Sequence, residues 1–132
     1  MAHAHEIDEF HARHAESDRA IFVALADTIE RWLPESVGKV WHAHPVWFID
    51  GNPIVGYNRL KDAVRLMFWS GQSFQEPGLT PSGTFQAAES RYTDVEQIDV
   101  EQVARWLIEA RDVQWDYEHI RTNRGLAKRT DF

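Results

Sequence analysis

His42 and His44 stand two residues apart, and on a strand that spacing turns both imidazoles to the same side. Rings so placed can share zinc, nickel, copper or iron once further ligands approach, and Asp50 is the one nearby carboxylate that suggests itself. The plainer alternative is a pair of partly exposed histidines beside Trp41 and Trp47. A second group, His3, His5, His11 and His14, lies in the first residues. On a helix His11 and His14 are neighbours, with Asp8 three positions before His11. A free amino terminus with imidazoles close by can also hold copper or nickel in a square-planar set. Against that, His14 continues an apolar stripe begun by Ile7 and Phe10, and ordering mobile terminal side chains costs entropy.

Four bases, Lys39, Arg59, Lys61 and Arg65, give residues 36–75 a net charge of +2 within a chain of net charge −7. Arg65 projects opposite Val64, Leu66 and Phe68, on the face less suited to core. With Trp41, Trp47 or Trp69 beside it, such a face can hold a carboxylate or phosphate against an aromatic wall. The alternative is that these bases pair with acids of the flanking helices. Six tryptophans are present. Trp32 and Trp106 fall on helix stripes and belong in the core, whereas Trp115 can join a dimer contact.

Other chemistries are poorly served. Cysteine is absent, which removes disulfides, thiolate metal sites and cysteine nucleophiles, and agrees with a reducing cytoplasm. The acidic balance argues against general nucleic-acid binding. No apolar run reaches the roughly twenty residues of a membrane helix, and the acidic, histidine-rich start does not read as a signal peptide. There is no glycine-rich phosphate loop, no nucleophile motif and no isolated pair of acids flanking a strand end.

The elements that must position these side chains follow from periodicity. In 132 residues there is room for one domain, with a compact part over about 6–120 and a basic, frayed tail over 121–132. Phe22, Leu25, Ile29 and Trp32 define a helix with Ser17 as N-cap, ended by Pro34. Residues 40–44 read as a strand running into Pro45. Residues 46–49 and 54–57 read as a hairpin around Asp50-Gly51-Asn52-Pro53, and 63–69 as a further strand. Residues 72–83 form a loop, and 85–92 a last strand. Asp99 and Gln102 open a final helix striped by Val103, Trp106, Leu107, Ala110 and Val113. Helices at both ends with strands between predict an α+β domain. Its sheet is mainly antiparallel, with about four to five strands, and the N-terminal and C-terminal helices pack on one face. The opposite face is left for a ligand or a second subunit.

Several local strings resemble the YdhG-like domain family, a bacterial group associated with frataxin-like iron chaperones. They are Trp32-Leu33-Pro34-Glu35, Trp41 followed by Pro45-Val46-Trp47, residues 64–71, and Ile98-Asp99. A histidine that the family often carries before the strand ending in glycine is replaced here by Ala63. The resemblance implies an α+β fold, an intracellular location, no established catalysis, and, for some members, iron carriage. Such carriage would use exposed carboxylates, for which Glu6, Asp8, Glu9, Glu16, Asp27 and Glu30 are the candidates. The alternative is that these acids keep a helix face solvated.

The sequence therefore leads first to a non-catalytic cytoplasmic protein that handles a metal, iron foremost, or a small ligand, with an enzyme assembled on His42 or His44 as the last-ranked expectation. The metal candidates are His42 and His44, or Asp8 and Glu9. The competing expectation is a module for an anionic ligand or a protein partner, built on Trp41, Trp47, Arg65 and Trp69. Neither a nucleic acid nor a membrane is expected as partner, and a homodimer is compatible with the open sheet face.

Overall fold

Apolar residues recur with helical period at both ends of the chain and with strand period in the middle, and the backbone follows suit. The computed structural model describes residues 3–120 and 125–128. Helices α1 (His5–Ala12) and α2 (Glu16–Trp32) precede strands β1 (Val37–Trp41), β2 (His44–Ile49), β3 (Asn52–Arg59) and β4 (Val64–Phe68). A short β5 (Thr80–Pro81), β6 (Ala88–Tyr92) and helix α3 (Val100–Asp112) complete the set. The six strands form one antiparallel sheet in the order β1-β2-β3-β4-β6-β5. The class is α+β, with one more strand than the upper end of the expected range.

The helices cover one face. Ile7 and Phe10 of α1, Phe22, Leu25 and Ile29 of α2, and Val103, Trp106 and Leu107 of α3 meet Trp47, Val55, Tyr57, Leu66 and Phe68 of the sheet in a continuous buried cluster. Each such side chain contributes roughly 1.5–3 kcal/mol by leaving water, which is what fixes the helices to the sheet. Asp99 caps α3 by accepting from the Gln102 backbone N–H, as its spacing predicts. The edge strand β1 is protected by α1, because Glu6 Oε1 accepts from the Val40 N–H at 2.8 Å. Gly38 lets β1 pass close: a Cβ there would stand 2.6 Å from Trp47 Nε1.

Several expectations are corrected. Residues 40–44 are not one strand. Trp41 pairs with His44 across a two-residue turn in which His42 and Ala43 both have positive φ, 52° and 72°. That is the geometry of tight hairpin turns, whose twist matches the strands they join. His42 therefore sits at the turn and His44 on the next strand, so the two imidazoles do not share a strand face. Pro45 does not end a strand but lies within β2, opposite Val40. Ser17 is inside α2, whose N-cap position is Ala15. Trp32 is 37% exposed rather than core. Of the tail expected to fray, residues 121–124 and 129–132 lie outside the described residues. Within the rest, Lys128 forms a β-bridge with Trp115.

Candidate functional site

Alternation on the strands decides what reaches the face away from the helices. On β4, Val64, Leu66 and Phe68 enter the core, so Arg65 and Met67 point outward. Pairing then aligns neighbours. Arg65 lies opposite Asn58 of β3 on one side and Arg91 of β6 on the other, while Trp41 lies opposite His44. The result is a polar row across the outer face: Trp41, His44, Asn58, Arg65 and Arg91. One step along the strands, Met67 lies opposite Gly56 and Glu89.

An aromatic floor adjoins the row. Val46, Phe48 and Trp69 are buried together on this face, with Trp41, Met67 and Tyr117 packed against them. Trp41 stands edge-on to Phe48 at 5.4 Å and 6.2 Å from Trp69 between ring centroids. Gly56 is what admits Trp69, since a Cβ at that position would be 3.3 Å from its ring and 2.5 Å from the Pro45 carbonyl oxygen. Lys39 Nζ sits 4.6 Å from the centre of Phe48.

Part of this face is closed by the chain itself. Asn52, fully buried, donates from Nδ2 to Gln114 Oε1 and to the Trp115 carbonyl, and its Oδ1 accepts from the N–H groups of Tyr117 and Glu118. Ser70 Oγ accepts from the Trp115 N–H, and the Tyr117 hydroxyl accepts from the Gln86 N–H. These bonds draw the segment after α3 over the Trp69 end, leaving the polar row beside it.

Electrostatics distinguish the row from ordinary surface. Arg65 and Arg91 are like charges directly opposite, a pairing that costs free energy unless something bridges it. Glu89 does so: Arg91 Nε donates to its Oε2 at 2.5 Å, and Arg65 Nη1 is 3.9 Å from its Oε1. Burial raises the Glu89 pKa, but hydrogen bonds from Arg91 and Ser82 and the charges of Arg91 and Arg65 outweigh it, leaving the carboxyl below its usual range. The Arg65 side chain is 23% exposed and donates from Nε to Asn58 Oδ1 at 3.1 Å. His44 is lowered by burial first, then by the charges of Arg65 and His42, so it is neutral near pH 7. With Asp62 also acting on Arg91, the groups Lys39, Arg65 and Arg91 set against Glu89 and Asp62 leave one positive charge.

The four residues proposed from sequence for an aromatic and basic face do not all meet. Trp41, Arg65 and Trp69 share the outer face. Trp47 does not: it is fully buried under α2, and its Nε1–H donates to Glu30 Oε2 at 3.0 Å. Arg59 instead pairs with Asp18 at 3.1 Å, the alternative weighed for these bases. Asn58, Arg91 and Glu89 were missed, because only strand register brings them beside Arg65. Among the proposed metal ligands, His42 and His44 sit close on the hairpin but belong to no group of three ligand atoms among the described residues, and Asp8 and Glu9 are exposed on α1, where Glu9 meets His5 at 2.7 Å.

Of the N-terminal histidines, His3, His11 and His14 pack against the protein, whereas His5 is exposed. His3, its side chain 2% exposed, has its two ring nitrogens 2.9 Å from Asp27 Oδ1 and from Glu30 Oε1. His11 Nε2 lies 2.6 Å from the Tyr57 hydroxyl. Burial foremost, then Glu30, Asp27 and Asp8, pushes the phenol well above its ordinary value, so Tyr57 stays protonated in its contact with His11. Among the described residues, Asp116, Glu118 and His119 form the one group of three whose ligand atoms lie within 4.8 Å of one another. Asp116 there also caps the His119 backbone N–H. Comparison with protein families, curated proteins and solved structures gave no match to this chain.

Proposed function

We propose that this chain is a non-catalytic binding protein of the YdhG-like type whose outer sheet face holds a small anion, a carboxylate or phosphate with an apolar body. The observation that carries the reading is the cross-strand row of Trp41, His44, Asn58, Arg65 and Arg91 beside the Trp69 cluster. Guanidinium groups suit carboxylate and phosphate because their donors are coplanar and carry charge. Two of them on adjacent strands, only partly neutralised by one buried carboxylate, leave a charge for a ligand to meet. Trp41 and Met67 offer the apolar wall, and Asn58 an amide. The YdhG-like part of the reading rests on the quoted strings, which fall at the end of α2, along the β1–β2 hairpin, on β4 and at the cap of α3. A cytoplasmic setting belongs to the same reading and rests on the cysteine-free composition.

Iron carriage on an acidic ridge is served less well by this geometry. Glu6 is occupied at the β1 edge, and Asp27 and Glu30 are held by His3 and Trp47. Calorimetric titration with inorganic phosphate and with benzoate tests the proposal. Arg65→Ala should weaken both about tenfold or more, as loss of a charge-assisted hydrogen bond of about 1.5–3 kcal/mol requires. Trp41→Ala should weaken benzoate more than phosphate. Absence of heat with either anion, or equal affinity in Arg65→Ala, would remove the proposal.

A further inference from the structure

The helical layer carries apolar surface on its outer side, where a covering helix is ordinarily polar. Trp32, Val100 and Ile108 are 37%, 52% and 46% exposed. All three line one groove between α2 and α3, of about 550 Å³, floored by Ala104 and flanked by Arg31, Glu101 and Arg105. Among the described residues the other large exposed apolar side chains stand outside this groove: Val23 lies on α2 away from it, and Val37, Phe85 and Val95 lie on other segments. A cluster of this kind in one groove marks a contact surface.

The charges choose the occupant. Glu101 and Arg105 lie one helical turn apart on the same flank of α3. When two copies of such a helix pack antiparallel about a twofold axis, like flanks face each other, and Glu101 of each copy meets Arg105 of the other. The same register sets Val100 against the Ala104–Ile108 stretch of the second α3, and the small Ala104 side chain permits close approach. A chain of net charge −7 repels its own copy over most of its surface. Arg105 also meets Glu76 of its own chain at 3.4 Å, so this groove, with Arg31 and Arg105 against Glu101 and Glu76, is near neutral, and two copies meet here at less electrostatic cost than over the acidic surface. We propose that the α2–α3 groove is the interface of a homodimer in which α3 packs antiparallel on its twin.

The exposed positions allow a test that leaves the core intact. Sedimentation at micromolar concentration should show twice the chain mass for the wild type. Glu101→Arg and Arg105→Glu should each weaken dimerisation at least tenfold by placing like charges opposite. The double variant Glu101→Arg/Arg105→Glu, made in a Glu76→Gln background so that the new acid does not face the present partner of Arg105, should restore it, since the self-complementary pattern is then only reversed. Ile108→Glu should give monomer with unchanged circular dichroism. A monomeric wild type, a dimer that survives Ile108→Glu, or a double swap that stays monomeric overturns the proposal. So does a monomer whose groove instead binds an acidic amphipathic peptide.

Discussion

Replacing Asn52 by alanine tests how the outer face is built. Its side chain makes four hydrogen bonds, at 3.1 and 2.9 Å as donor and at 2.9 and 3.1 Å as acceptor, to residues 62 to 66 positions away. A typical bond contributes about 0.5–1.5 kcal/mol net, while a buried group left without a partner costs about 1–3 kcal/mol. Alanine removes all four bonds; the Tyr117 N–H and the Trp115 carbonyl keep each other at 3.0 Å, while the Glu118 N–H must find water. Because the segment lies near the surface, water re-satisfies part of this, and the expected loss is about 2–4 kcal/mol. For a chain of this size that corresponds to a fall in Tm of roughly 6–12 °C. The assay is urea unfolding followed by tryptophan fluorescence, with Arg59→Ala as control. Arg59 meets Asp18 in a partly exposed pair, and such pairs contribute about 0–1 kcal/mol. If Asn52→Ala costs no more than that control, the strap over Trp69 is not held as described.

Two further outcomes follow from the same geometry. Ala43 adopts a φ of 72°, which a Cβ disfavours, so Ala43→Gly should raise stability by about 0.5–1 kcal/mol, and an unchanged or lower melting temperature would contradict the turn. His11 is lowered from 6.5, by burial first and then by His3, with Asp8 and Asp27 opposing and His14 adding to the shift. The unfolded chain therefore binds a proton that the folded chain refuses, and stability should fall as pH drops below 6.5 towards the folded value. Urea unfolding at roughly pH 7 and pH 5 should show this loss, and a curve that rises on acidification would refute the buried, neutral His11.

Elements with complete local signals were legible from sequence. α3 is marked by Asp99, Gln102 and the stripe of Val103, Trp106, Leu107 and Ala110, with Val113 falling at its C-cap, and β4 by strict alternation about Arg65. The β1–β2 hairpin was hidden because its turn is made by His42 and Ala43 rather than by glycine or asparagine, so nothing local marked positive φ. The face of Trp47 is not readable from sequence, because Val46-Trp47-Phe48-Ile49 is apolar throughout and offers no alternation. Trp32 occupies a core-like helical position yet stands at the mouth of a groove, which only the placement of α3 reveals. Asn52 looked like a turn residue, and its partners near the C-terminal end are remote in sequence. The same holds for Arg91 and Glu89: cross-strand register, a long-range property, brings them to Arg65.

The central claim is that the row on the outer face receives an anion. Its most direct test is to follow the side-chain Nε–Hε resonances of Arg65 and Arg91 by NMR while titrating benzoate. These two signals should move together with the backbone amides of Trp41 and His44. Binding should tighten as pH falls through the lowered pKa of His44, because a bound anion favours its protonated form. Arginine signals that stay fixed while resonances of α2 or α3 shift, or a spectrum unchanged at saturating benzoate, would contradict the account.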